Sequence, residues 1–377
     1  MSRRTGTATL PLHGGRTPRW LFERMASLAP AVVEAIVLEH GPHEVLRRLS
    51  DPHWFQAFGC VLGFDWHSSG VTTTVCGALK TGLAGREADT GLRVAGGKGR
   101  ASRRTPFELM DHASRLGLDG DALVRSSRLS AKVDSAAVQD GFQLYHHAFI
   151  LADDGAWAVV QQGMREADGS ARRYHWLERP GLDPTCEPHA AVASDGPAGA
   201  VLNLVAAESA GVRRASAELA RTDPGTLERE VEQLSALDMP RRHWVDPKID
   251  VDPRFLKKVL VSTYAKAPAD FQQLLEVRGV GAKGLRALAL LAEVTYGETA
   301  SVKDPARFSF AHGGKDGFPF PVDRATYDGT IAYLREAVAR ARMGHSDRVG
   351  ALKRLARYDG RAGGAQVPRE GRPLPAV

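Results

Sequence analysis

Apolar residues recur at helical spacing between Arg19 and Glu39, where Leu21, Met25, Leu28, Val32, Val33, Ile36 and Val37 form one stripe. Gly41-Pro42 stops that helix. Ser50-Asp51-Pro52 predicts a second start, a capping residue ahead of a first-turn proline, with Trp54, Phe55, Phe58, Val61 and Leu62 as its buried face. Residues 85–104, rich in glycine and basic side chains, read as a loop or a short strand with turns, and Thr105-Pro106-Phe107-Glu108 opens a further short helix. The pattern changes at Asp140. Phe142–Leu151 and Trp157–Met164 are β runs joined by an Asp153-Asp154-Gly155 hairpin signal, and Arg172–Leu177 is a third strand after the polar turn Glu166–Ser170. From Val201 to Tyr358 the spacing predicts helices, with starts at Thr222-Asp223-Pro224 and Val251-Asp252-Pro253.

The expected fold is α+β and mainly helical. It divides into an extended N-terminal segment (1–18), an N-terminal domain of helices and an antiparallel β meander (19–180), a linker (181–200), an all-helical domain (201–358) and a disordered tail (359–377). A chain of 377 residues suits two such domains. No apolar run approaches the roughly 20 residues that span a bilayer, and no apolar stretch follows the basic N-terminus, so the cytoplasm is expected and a membrane partner is not. Cys60, Cys76 and Cys186 are too few and too far apart for a disulfide framework or a paired zinc motif.

A net charge of +6 permits a polyanionic partner without requiring one. Lys98 beside Gly96-Gly97 and the pair Arg172-Arg173 are basic residues near turns or strands, and they favour nucleic acid as that partner. The sharpest motif lies further on, in Leu274-Leu275-Glu276-Val277-Arg278-Gly279-Val280-Gly281-Ala282-Lys283-Gly284-Leu285. A short helix ends in a Gly-hydrophobic-Gly turn and a second helix begins at once. Two glycines let a phosphate approach bare backbone, and the unsatisfied N–H groups of the following helix favour an anion.

These residues resemble the helix-hairpin-helix motif, which holds the DNA backbone without reading sequence. Arg278, Gly279, Val280, Gly281, Lys283 and Gly284 would be the contacts. In the helix-hairpin-helix DNA glycosylase superfamily a lysine at the place of Lys283 can act as nucleophile, with an aspartate downstream in a Val-Asp pattern. Val322-Asp323 is similar to that second piece, 40 residues beyond Lys283. The resemblance implies a glycosylase or AP lyase acting on damaged or modified duplex DNA, without cofactor. Lys283 would attack the sugar C1′ and Asp323 would stabilise the developing positive charge. A phosphate contact for Lys283 and a helix cap for Asp323 are the alternatives.

Over residues 7–190 the chain also resembles an uncharacterised bacterial and archaeal family, catalogued as domain of unknown function seven-six-three. Leu10-Pro11-Leu12-His13-Gly14-Gly15, Gly63-Phe64-Asp65-Trp66-His67-Ser68-Ser69-Gly70, Gly96-Gly97-Lys98-Gly99, Gln139–His147 and Val159–Met164 carry the likeness. It implies no activity. Asp65 and His67 concentrate polar groups beside an aromatic residue. On the meander, Gln143, Tyr145 and His147 are expected on one strand face, open to solvent, with Gln161 on the next strand. Together with Asp140, His146 and Gln162 they could line a nucleic-acid groove. With Asp153 they could instead bind a divalent ion as a nuclease does. A non-catalytic DNA-binding module is the third reading.

Overall fold

Prolines and caps set the boundaries of the first helices. In the computed structural model, which describes residues 17–64, 70–194, 201–227, 253–306, 324–341 and 343–363, α1 (Arg19–His40) ends at Gly41 and α2 (Pro42–Leu49) begins at once. The Asp51 carboxylate then accepts from the backbone N–H groups of His53 and Trp54 and starts α3 (Pro52–Leu62). Left-handed Gly63 ends it, and α4 (Gly70–Leu83) and the short α5 (Glu87–Thr90) complete this helical layer.

The strand β1 (Leu92–Lys98) follows, then α6 (Thr105–Leu116) and α7 (Gly120–Lys132). One π turn, Val133–Ala137, continues α7 into the two-residue strand β2 (Val138–Gln139). The expected meander forms as β3 (Gln143–Ala152), β4 (Trp157–Arg165) and β5 (Ser170–Leu177). A further strand, β6 (Ala191–Ser194), joins them, giving a five-stranded antiparallel sheet in the order β1-β3-β4-β5-β6. The expected linker therefore contains a fully buried strand rather than a free connection. The stretch after it is not all helical either, because β7 (Leu202–Asn203) pairs with β2.

The remaining described helices are α8 (Ala210–Leu219), α9 (Pro253–Lys266), α10 (Phe271–Glu276), α11 (Ala282–Tyr296), α12 (Arg324–Arg340) and α13 (His345–Gly363). The last runs into what the sequence suggested was tail. The fold is α+β and mainly helical. Among the described residues no helix is long and apolar enough to cross a membrane.

Alternation along the strands sends Phe149, Leu151, Trp157, Val159, Tyr174 and Trp176 to one face, where they meet α6, α7, α8, α10 and α11. Ala148, Ile150, Ala158 and Val160 point the other way, into a second core built by α1–α4 and closed by Leu334, Val338 and Leu355 of α12 and α13. Full burial of each large aliphatic or aromatic side chain contributes about 1.5–3 kcal/mol, so both faces of the sheet are strongly held. The two cores do not follow the boundary read from the sequence: each draws on residues before 180 and after 200.

Candidate functional site

Asp270 caps α10 by accepting from the backbone N–H of Gln273, and the helix ends after a turn and a half. The Val280 N–H then bonds the Val277 carbonyl at 3.2 Å, closing the turn, with Gly279 between them at φ +93°. Val277 and Val280 are buried in the helical core, whereas Arg278, Gly279 and Lys283 are exposed. Gly281 begins α11 with no side-chain cap on the first turn. Among the described residues no heavy atom lies within 4 Å of the place a Cβ would take on either Gly279 or Gly281. Gly284, by contrast, is buried, and a Cβ placed on it would lie 3.3 Å from a Val259 methyl. The start of α11 is pinned to β2: Gln139 donates from Nε2 to the Ala282 carbonyl at 2.9 Å and accepts from Arg286 Nε at 2.9 Å. Arg125 Nε of α7 donates to Glu276 at the end of α10, 2.6 Å away. The result is a rigidly seated turn with bare backbone and two cations facing solvent.

Asp323, Asp65 and His67 lie outside the described residues. The other candidates of the N-terminal half are described, and most of them are buried. Arg172 and Arg173, expected to meet phosphate, are fully buried. Arg172 donates to Asp140 at 2.9 Å and, through both terminal nitrogens, to Asp304 at 2.8 Å, while Arg173 donates to Thr72 and Gln56. Tyr174 adds its hydroxyl to Asp140 at 2.7 Å. Burial pushes the Asp140 carboxyl up from its ordinary range, and Arg172 and Tyr174 oppose that shift.

The expected open strand face is not open. Gln161 and Gln162 are fully buried, and His147 nearly so, because helices cover both sides of the sheet. Of the meander candidates Gln143 and Asp153 are exposed, and Tyr145 is half-buried. A bulge between Leu144 and His146 breaks the alternation, so Tyr145 accepts from Gln162 while His147 faces Gln161. Nor do Asp140, His146 and Asp153 converge. His146 and Asp153 are at opposite ends of β3, roughly 20 Å apart at the usual rise of a strand, and Asp153 pairs with Arg93. Among the described residues no three His, Cys, Asp or Glu side chains gather as a metal would need. The glycine turn at Gly96 is occupied from within, since its N–H donates to Glu108 and its carbonyl accepts from Lys80.

What the sheet does bring together is a chain of hydrogen bonds the sequence did not announce. Ser127 Oγ and His147 Nε2 are 2.9 Å apart, and His147 Nδ1 and Gln161 Oε1 are 2.8 Å apart. Gln161 Nε2 donates to the Ser130 carbonyl at 3.2 Å and to Asp134 at 2.5 Å. Asp134, fully buried in the π turn, also accepts from Trp176 Nε1 at 3.0 Å and His189 Nε2 at 2.5 Å. Ser127, His147 and Gln161 line a cleft of about 200 Å³ at the surface, with Arg103, Arg128 and Tyr145 on the same wall. Nothing in Arg125-Ser126-Ser127-Arg128 marks Ser127 in sequence, since the strand partner is 20 residues away. Asp134 carried a weak signal, an acid inside the mostly apolar run Val133–Val138.

The family model described as Protein of unknown function (DUF763) matches residues 6–322. No curated protein and no solved structure matches the chain.

Proposed function

This chain belongs to the DUF763 family of proteins of unknown function, and for it we propose a DNA-binding role in which the glycine turn between α10 and α11 grips the phosphate backbone of a duplex. One observation carries the reading. Gly279 and Gly281 present backbone that no described residue crowds, at a helix start with no side-chain cap among the described residues, flanked by exposed Arg278 and Lys283. Backbone N–H groups and a positive helix end attract an anion of any sequence context, and the two side chains add full charges.

Fluorescence anisotropy on a labelled duplex of arbitrary sequence tests it. Gly281 has extended backbone (φ −134°), which any residue adopts, so Gly281→Val should fold normally, with stability lowered by about 1 kcal/mol, the cost of a poor helix cap. Its side chain would fill the space a phosphate needs, and binding of every duplex should weaken. Arg278→Ala combined with Lys283→Gln should reduce the slope of log K against log salt by about two. Unchanged binding in both variants at about 0.1 M salt would take the turn out of the interface.

The finer reading is a glycosylase or AP lyase with Lys283 as nucleophile, and what supports it is the exposure of that amine on the first turn of α11. Attack at C1′ would leave an imine between Lys283 and the sugar. Borohydride should then cross-link the protein to abasic DNA, and Lys283→Gln should abolish the cross-link while retaining most binding. Normal strand cleavage by Lys283→Gln would sink this reading and leave the DNA-binding one standing.

A further inference from the structure

The hydrogen-bond pattern around His147 assigns its proton. Both amide hydrogens of Gln161 are committed, one to the Ser130 carbonyl and one to Asp134, so Gln161 Oε1 can only accept, and it accepts from His147 Nδ1–H. His147 Nε2 is then the lone-pair nitrogen of a neutral ring, and the Ser127 hydroxyl, 2.9 Å away, donates to it. Burial favours that neutral form by lowering the proton affinity of the ring. A serine hydrogen-bonded to the lone-pair nitrogen of a neutral imidazole, whose other nitrogen is held by a side-chain oxygen, is the geometry of an activated nucleophile, and an amide can serve as the orienting group. Asp134 stands behind the amide and polarises it. It sits in the π turn Val133–Ala137, a local irregularity of the kind often found at functional positions.

The cleft says what the serine could meet. Its wall includes Arg103 and Arg128, both exposed, and among the described residues its lining contains no Asp or Glu. Exposed Lys98 stands over the ring of Tyr145 at the same wall, 5.7 Å from its centroid. A volume of about 200 Å³ is below the roughly 300–1,000 Å³ of sites that enclose a drug-sized ligand. It suits a phosphoryl group whose substituent stays outside.

We propose that this cleft is a phosphoryl-transfer site, with Ser127 as nucleophile and His147 as general base, acting on a phosphate ester. Ser127 Oγ bonds to phosphorus as the bond from phosphorus to the leaving oxygen breaks. The hydroxyl proton passes to His147 Nε2 and from there to the leaving oxygen. Water then bonds to phosphorus as the bond from phosphorus to Ser127 Oγ breaks, one water proton passing through His147 Nε2 to Oγ, and phosphate or a phosphomonoester is released. Gln161 and Asp134 are positioning residues. The site is separate from the glycine turn, so its fate is independent of DNA binding there.

A fluorophosphonate probe tests the nucleophile on the full-length protein, since Oγ attack displaces fluoride. Peptide mapping of the wild type should place the adduct on Ser127; no adduct, or one elsewhere, overturns the proposal without any variant. Ser127→Ala should abolish labelling, and His147→Ala should slow it by about 10²–10⁴-fold. Asp134→Asn, checked for folding by its melting curve, should lower the maximal labelling rate while leaving the half-saturating probe concentration unchanged. A purely structural Asp134 would leave the rate of the folded fraction unaltered. For the substrate class, p-nitrophenyl phosphate or bis(p-nitrophenyl) phosphate should be hydrolysed in a Ser127-dependent way, with KM raised several-fold in Arg103→Ala and Arg128→Ala. Hydrolysis of p-nitrophenyl acetate alone would overturn the phosphoryl assignment.

Discussion

Arg172 leaves water only because two carboxylates go with it, Asp140 fully buried and Asp304 partly so. Removing the guanidinium while keeping its volume, in Arg172→Met, strands Asp140 beside Tyr174 in the core. The expected loss is about 3–5 kcal/mol, read as a fall in the urea midpoint. His146 makes a different demand. Both ring nitrogens are buried with no partner among the described residues, and burial, then the neighbouring His147, Lys98 and Arg173, lowers its pKa to about 3. The unfolded chain takes up that proton near pH 6.5, so between about pH 6.5 and 3 it binds more protons than the folded form, and stability falls as pH falls. His146 alone contributes a slope of about 1.4 kcal/mol per pH unit in that window. His147 and His175 are shifted in the same direction. Denaturant titrations at stepped pH should show a shallower slope for His146→Phe, and an unchanged slope would refute the assignment. None of this was legible in Arg172-Arg173 or His146-His147 as letters. Adjacent polar residues on a strand look solvent-facing unless one knows that both faces of the sheet are covered.

Helices were read well where apolar spacing and end signals agreed, as in α1, α3 and α6, and the meander was read from its turns. The helix α4 was missed because Gly70-Val71-Thr72-Thr73-Thr74-Val75 is glycine and β-branched residues, poor helix formers by propensity. Tertiary burial overrides that preference: Val71, Thr72, Val75 and Leu79 are all essentially inaccessible. The packing that does so is close. A Cβ on Gly82 of α4 would sit 2.1 Å from the Ala26 carbonyl oxygen of α1, against backbone that cannot rotate away. Gly82→Ala should therefore cost about 1–3 kcal/mol through overpacking, despite the better helix propensity of alanine. A higher melting temperature in that variant would show that α1 and α4 can part without penalty. The glycine turn was legible for the opposite reason, since its glycines and the buried Val277 and Val280 encode one local geometry.

At the scale of the whole molecule, the sheet is the shared wall of two cores, each completed by helices from the far end of the chain. Local periodicity carries no record of such pairings, which is why the sequence suggested two consecutive domains, and why Ser127, His147 and Asp134 could not be seen as one cluster. A fragment of residues 19–180 should lack dispersed amide resonances, because α8, α10 and α11 are absent from one face and α12 and α13 from the other. Native-like dispersion in that fragment would contradict the shared-wall account. The pairing of α3 with α13 also sets a timetable. The Val61 carbonyl accepts from Arg354 Nε, 293 residues later in the chain. At synthesis rates of about 5–20 residues per second, roughly a quarter-minute to a minute separates the two on the ribosome. Through that interval the nascent chain carries an apolar wall whose cover has not yet been made. Until Leu334, Val338 and Leu355 emerge, the side chains they cover stay open to whatever apolar surface the nascent chain meets.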